Sequence, residues 1–381
     1  MTTPEQPDLF GGKQPQPAPA APDAKRAPAS VASSVASSAA SSVQKSADAV
    51  PSPAPVSEEI RDLGRVLPPR LHIGTSSWAF AGWAGLVYAE SMSESRLSRD
   101  GLVAYAKHPL LRSVSVDRGY YGVLRADEYA RYAEQVPPAF RFVVKAPAAV
   151  SDRFLRGEGG RPAGDNPRYL DAAWAAEQFV APCIEGLGDR AGVLLFQFAP
   201  QLTSRPGRGV GHARSEATRF AGQLLQFLRA LPPAPAVSQA GSPGWVYAVE
   251  VRDPELLTPD LAATLDRTRA RYCHSVHARM PPLPEQSRRL AALSPGPFVA
   301  RWNLHAGHRY EQAKAKYLPF DRIVDPDPAS REAIARMAAE ALSRGHPAYI
   351  TVNNKAEGSA PLSCVELARA VREALRKRPP S

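Results

Sequence analysis

Cysteine is scarce in this chain. Cys183, Cys273 and Cys364 stand far apart, odd in number, with no Cys-x-x-Cys pair. That spacing offers neither a disulfide framework nor a zinc ribbon, and it fits a reducing, cytoplasmic compartment. No run of about 18 apolar residues occurs, so no membrane-spanning helix is expected. The first residues are acidic and proline-rich instead of basic and then apolar, which argues against a secretory signal. A phosphate loop is missing too: Ser204–Arg214 is rich in glycine and arginine but lacks the Gly-x-x-x-x-Gly-Lys-Ser/Thr spacing. Metal-ligand spacing is equally thin. His274 and His277 lie three apart and on a strand face opposite ways, whereas His305 and His308 could share a helical turn. No cofactor is expected on these grounds. A divalent metal held by histidines together with Asp117 and Glu250 stays open, although no ligand motif fixes one.

Charge and low-complexity composition are unevenly spread. Residues 1–65 are dominated by Pro, Ala and Ser and hold six Lys/Arg against seven Asp/Glu, a net charge of −1. Such a stretch cannot bury enough apolar surface to offset the entropy of ordering it, so a disordered tail is expected there. One piece stands out: Gln6-Pro7-Asp8-Leu9-Phe10 resembles the pentapeptide with which many bacterial proteins dock on the DNA sliding clamp. In that reading Gln6 fills a small polar pocket, and Leu9 and Phe10 fill a hydrophobic one. Residues 66–381 hold 41 Lys/Arg against 30 Asp/Glu, a net charge of +11. A body this basic suits an anionic small molecule or nucleic acid as partner, and equally an arginine-rich solvated surface.

Within that body one stretch organises the rest. Val246–Arg252 reads as a short strand, almost wholly apolar, as a parallel strand covered on both faces would be. Its end carries Glu250 and Arg252, which share a face because they are two apart. Since an unpaired buried charge is costly, ionised tips suggest an open polar site; a structural ion pair at a strand mouth is the plainer alternative. The same grammar recurs in Leu71–Ser77, Ser113–Asp117, Phe140–Lys145, Gly192–Gln197, Arg271–His277, Phe298–Arg301 and Ala348–Asn354. Eight such strands separated by helical patterns predict an α/β fold, a (β/α)8 TIM barrel over 66–381, with its chemistry at the C-terminal mouth.

Helices are expected from Asp127 to about Val136, over Tyr169–Gly188, Glu216–Leu231 and Thr258–Ala270, from the Asp327-Pro328 cap to Gly345, and from Leu362 to about Arg376. Proline-rich Met280–Pro297 is the weakest stretch of the pattern, and a short or displaced helix is expected there.

The convergent tips are the candidate site. Glu250 is the candidate general acid or base, with Lys145 and Asp117 beside it. Lys145 and Arg252 would hold a phosphate or carboxylate, Arg being suited to bidentate anion recognition. Gln197 and Asn353 would orient hydroxyls or water, and Arg301, Asn354, Trp78 and Tyr121 would also contact substrate. Lys145 as a Schiff-base lysine is a further option. The chemistry expected is that of a hydrolase, lyase or isomerase acting on an anionic phosphorylated or nucleic-acid substrate. A non-catalytic protein binding such a ligand is the alternative.

Ile73–Trp78 with Trp83, Phe142–Pro147, Leu194–Pro200, Ala248–Pro254 and Asn353-Asn354 resemble, in this order, the domain of unknown function 72, the YecE-like family. The likeness spans nearly all of residues 70–375. It implies a TIM barrel and no established reaction. Where that family usually has a Glu two residues before the equivalent of Asp117, this chain has Ser115, and its usual Ser-Thr-Phe-Tyr is replaced by Arg118-Gly-Tyr-Tyr121.

Overall fold

The computed structural model describes residues 50–157, 162–200, 210–235, 244–305 and 307–378. Gln6, Leu9 and Phe10, and residues 204–209 of the basic glycine-rich stretch, lie outside them.

Eight parallel strands close into a barrel: β1 (Leu71–Thr75), β2 (Ser113–Val116), β3 (Arg141–Lys145), β4 (Ala191–Gln197), β5 (Val246–Glu250), β6 (Arg271–Val276), β7 (Phe298–Trp302) and β8 (Ala348–Val352). Each strand pairs with its neighbours in sequence, and β1 closes the ring against β8 and β2. The expected TIM barrel is therefore the fold.

The pleat divides the strands into two cores. Outward residues, among them Ile73, Val114, Phe142, Leu194, Val249 and Ile350, join the helices in one large apolar cluster. Inward residues, Val143, Val193, Leu195, Ala248, Cys273, Val299 and Tyr349, form a separate small cluster inside the cylinder. The two sets alternate along each strand because successive side chains point to opposite faces. Inside the barrel this apolar layer is the floor on which the next inward residues stand.

Closure depends on one glycine. A Cβ on Gly74 would lie 1.7 Å from the carbonyl oxygen of Ser113, so β1 and β2 can approach only where residue 74 has no side chain.

The helices follow the expected order, with shifted ends. Asp327 caps the helix Pro328–Ser343 by accepting from the Ser330 N–H at 3.0 Å, and Gly345 follows it at φ 78°. The helix expected to start at Asp127 instead spans Ala126–Ala133. There the N–H of Arg125 donates to Glu128 at 3.1 Å, while the Asp127 carboxylate pairs with the Arg125 side chain. The helix expected over Tyr169–Gly188 begins at Ala172, capped by Asp171, and widens to a π-turn at Ala176–Val180 ahead of Pro182. Proline has no N–H to return to residue i−4 and its ring crowds that carbonyl, which accounts for a local loosening. Leu283–Arg289 is the short sixth helix of the proline-rich stretch. The loop after β3 carries an antiparallel hairpin, Phe154–Arg156 with Pro162–Asp165.

One correction concerns the start of the folded body. Residues expected to belong to a disordered tail form the helix Glu58–Val66, capped by Ser57, with Leu63 and Gly64 buried. The compact unit begins at Pro51. The Pro/Ala/Ser composition of the whole 1–65 stretch hid a short amphipathic turn whose Leu63 and Leu67 pack into the outer core.

Candidate functional site

At the C-terminal end of the barrel the inward register continues from apolar to charged. Gln197 stands opposite Glu250, and Arg301 lies between Ser275 and Thr351. These positions sit one pleat above Leu195, Ala248, Cys273, Val299 and Tyr349, so their side chains meet above a dry floor.

They meet in one network. Arg301 is its hub: Nη2 donates to Asp117 Oδ2 at 2.8 Å, and Nη1 donates to Glu250 Oε2 at 3.1 Å and to Gln197 Oε1 at 2.9 Å. Arg252 Nη2 lies 2.5 Å from Glu250 Oε1 and 3.4 Å from Gln197 Oε1. Asn303 donates to Glu250 at 3.4 Å and to the Ser275 hydroxyl at 3.1 Å. Ser115 donates to Asp117 Oδ1 at 2.5 Å. Lys145 stands beside this network with its ammonium 3.5 Å from the centroid of the Tyr120 ring. Tyr120 in turn donates through its hydroxyl to Asp152 at 3.0 Å, and Arg156 of the hairpin holds Asp152 at 2.8 Å.

The expectation of an open site is not met. Glu250 is 0% exposed, Lys145 1% and Arg301 3%. The charges answer burial by pairing with one another, not by hydration. The pairing is incomplete: Arg252 Nε and Nη1 and Arg301 Nε are buried with no hydrogen-bond partner. Three cations, Arg252, Arg301 and protonated Lys145, face two carboxylates, Asp117 and Glu250, leaving one positive charge in excess.

This imbalance sets the proton affinities. Burial alone would raise the Glu250 carboxyl, but Arg252 and Arg301 outweigh it and hold it below the ordinary value. Burial works to lower Arg301, yet Asp117 and Glu250 more than reverse it. Lys145 has no carboxylate at contact distance; burial, opposed by Asp117 and reinforced by Arg301, pulls it down to about 8. His277, two residues beyond Ser275 on the same face, is held neutral with a pKa of about 3, by burial and then by Arg252.

Of the residues picked from sequence, Glu250, Asp117, Arg252, Arg301 and Gln197 are joined by direct contacts, with Lys145 electrostatically coupled to them. Asn353 sits at the mouth, donating to Ser76 Oγ at 2.8 Å. The other three are placed elsewhere. Asn354 accepts from the Trp83 indole at 3.2 Å and from the Ala360 N–H at 2.8 Å, which ties the last helix to the loop after β1. Trp78 is buried with its indole N–H on the Leu97 carbonyl at 2.9 Å. Tyr121 is 56% exposed and packs edge-on against Tyr120. His274 faces outward to Ser287 at 3.1 Å, opposite to His277, as their spacing predicts. Among the described residues no group of three or more His, Cys, Asp or Glu is gathered as a metal-binding set. Sequence reasoning did not name Ser275 as a site residue, although it continues the period-2 inward pattern and was findable by it.

A sequence profile described as a protein of unknown function, DUF72, matches residues 72–381. Among solved structures, a DUF72 family protein of Thermotoga maritima is 18% identical, covering 79% of this chain and 99% of that one, with a TM-score of 0.51. A DUF72 family protein of Enterococcus faecalis is 15% identical over 81% of this chain and 96% of that one, with a TM-score of 0.46. Among curated proteins no significant match is found. No helix among the described residues is long and apolar enough to cross a membrane.

Proposed function

The chain belongs to the DUF72 family, and on that premise we propose that its barrel mouth binds an anionic group of a phosphorylated or nucleic-acid substrate and carries out acid–base chemistry on it. The observation that supports this reading is the set of unpartnered guanidinium donors on Arg252 and Arg301 beside an unpaired Lys145. Buried N–H groups of a cation are expensive to leave unmatched. An anion seated against them would satisfy the donors and cancel the excess charge in one step. Arg supplies the planar fork for a phosphoryl or carboxyl group.

The roles divide by proton affinity. Glu250, wedged between two guanidinium groups, is the fixed counter-ion that orients them; its lowered pKa makes it a poor proton carrier near neutrality. Lys145, poised at about 8, is the group able to give up and regain a proton. Asp117 anchors Arg301 from the opposite side of the mouth. This reassigns the acid–base role that the sequence gave to Glu250.

The test is turnover by the full chain of phosphorylated small molecules and short DNA strands. Lys145→Met should cut turnover at least about a hundredfold, in line with the loss of a general acid–base group, and Arg252→Met should raise KM. Full activity in both variants would remove the assignment. The second reading, a non-catalytic binding protein, is favoured by the density of internal pairing around Arg301. Binding with steep salt dependence and no turnover would support it. Recruitment to the sliding clamp through Gln6, Leu9 and Phe10 belongs to the same proposal. Equal clamp recovery by the intact chain and by a Leu9→Ala/Phe10→Ala variant would end it.

A further inference from the structure

We propose that the ammonium of Lys355 and the first turn of the helix Tyr310–Tyr317 form a second anion site, shaped for a phosphoryl group, on the barrel rim above β7 and β8. It stands on residues outside the central network and does not depend on what that network binds.

Lys355 lies three residues past the end of β8 and is 5% exposed. Its backbone is pinned on both sides. Its N–H donates to Asn353 Oδ1 at 3.0 Å, and its carbonyl accepts from the His305 N–H at 2.8 Å. The side chain is thereby aimed at the start of the inserted helix, its ammonium 4.2 Å from the Tyr310 ring centroid. Tyr310 is the first residue of that helix.

Electrostatically this is the wrong place for a lone cation. A helix start is its positive end, with backbone N–H groups pointing outward. Here the residue at the cap is Arg309, which provides no side-chain cap bond. Lys314, one turn on, adds a third positive charge that acts on Lys355. Among the described residues, the carboxylate that acts on Lys355 is Glu311, which is exposed. His305 approaches Lys355 through its backbone. Burial and Lys314 pull the Lys355 amine down to about 8, as expected of an ammonium with no counter-ion at contact distance. The Tyr310 face offers a cation–π contact, which offsets only part of the cost of burial.

An anion would relieve each of these at once. A phosphoryl group has enough oxygens to accept from the ammonium and from helix N–H groups together, the arrangement in which helix starts bind phosphate. A carboxylate, with two oxygens, satisfies fewer of these donors.

The experiment follows the lysine signals of the full chain, labelled with 13C at Cε, in pH titrations with and without inorganic phosphate at constant ionic strength. The Lys355 signal is identified by its loss in Lys355→Met and Lys355→Arg, so that one folded variant suffices. Phosphate is expected to raise the Lys355 midpoint by about one pH unit or more, because an anion favours the ammonium, and to do so equally in an Arg252→Met background. In that background Lys355→Met should weaken phosphate binding roughly tenfold or more, the worth of one charge-assisted bond, while Lys355→Arg retains it. A short single-stranded oligonucleotide that displaces phosphate from Lys355 would identify the source of the phosphoryl group as a nucleic-acid backbone; failure to displace would assign the site to small phosphorylated ligands. An unmoved Lys355 midpoint overturns the proposal. So does a shift that vanishes in Arg252→Met, since phosphate would then sit in the central network and be felt at a distance. A central network without affinity for anions would leave the Lys355 result intact, so the two readings fail separately.

Discussion

Lys145→Met should make this protein more stable while disabling its barrel mouth. The ammonium of Lys145 is buried and has fallen from an ordinary pKa of 10.5 to about 8. Each pH unit of that displacement corresponds to about 1.36 kcal/mol, so holding the charged form costs roughly 3 kcal/mol at pH 7. Methionine fills a similar volume without charge and removes the penalty. The sign can be checked through proton linkage. Between pH 8 and 10.5 the unfolded chain binds the lysine proton more tightly than the folded one, so wild-type stability rises with pH in that window. The advantage of Lys145→Met should therefore shrink, from about 3 kcal/mol at pH 7 to about 1.4 kcal/mol at pH 9.5. Buried tyrosines such as Tyr105 and Tyr272, whose pKa values are raised by burial, work in the opposite direction above pH 10. They are common to both proteins and cancel in the difference. Urea unfolding of wild type and variant at the two pH values measures it. A variant less stable than wild type at pH 7, or a difference that does not change with pH, would show that Lys145 carries no unpaid burial cost. A stability gain together with lost turnover would mark a residue retained for chemistry at the expense of the fold.

Arg301→Met removes the hub's bonds to Asp117, Glu250 and Gln197 at once, leaving Asp117 without its guanidinium partner and Glu250 with one of its two. It should cost about 3–5 kcal/mol; because the two carboxylates become easier to protonate, the loss should be smaller at pH 5 than at pH 7 in urea titrations. Tyr120→Phe keeps the ring under Lys145 but deprives Asp152 of a donor. It should cost about 1–3 kcal/mol while leaving the Lys145 midpoint near 8, whereas Tyr120→Leu should push that midpoint lower, since the ring face favours the ammonium; 13C lysine titrations separate the two. Gly74→Ala should yield little folded protein, because its Cβ would have to share space with the Ser113 carbonyl oxygen at the closing strand pair; far-UV circular dichroism and soluble yield report it.

How much of this the sequence displays depends on the range of the interaction that decides it. Strand positions were legible because alternation and strand ends are local: all eight barrel strands overlap the eight segments chosen from apolar pattern and polar tip. The gathering of Glu250, Arg252 and Gln197 follows from register between neighbours. What alternation cannot show is reach across the mouth. Arg301 on β7 bonds to Asp117 after β2, 184 residues away in sequence, and that bond turns a ring of separate tips into a closed network. The same closure explains why an open site was the wrong expectation. Ionised tips do demand compensation, but opposite charges on facing strands supply it as readily as water does, and leave guanidinium donors of Arg252 and Arg301 without a hydrogen-bond partner.

Asn353 and Asn354 show the limit at the scale of one residue. They have the same side chain and adjacent positions, and the sequence offered them the same task. Asn353 continues the inward series Tyr349, Thr351, Asn353 and reaches the mouth, where it bonds Ser76. Asn354 falls on the opposite face and is absorbed between Trp83 and Ala360. A period of two had already separated them, because a strand's last inward residue and the one after it cannot both line the barrel. Lys355 carries the point further. Past the strand the period no longer applies, and only the bonds its backbone makes to Asn353 and His305 turn its ammonium toward the inserted helix. A lysine whose direction is set by tertiary contacts has no signature in a linear pattern, so the second anion site becomes visible only when the loops after β7 and β8 are seen side by side.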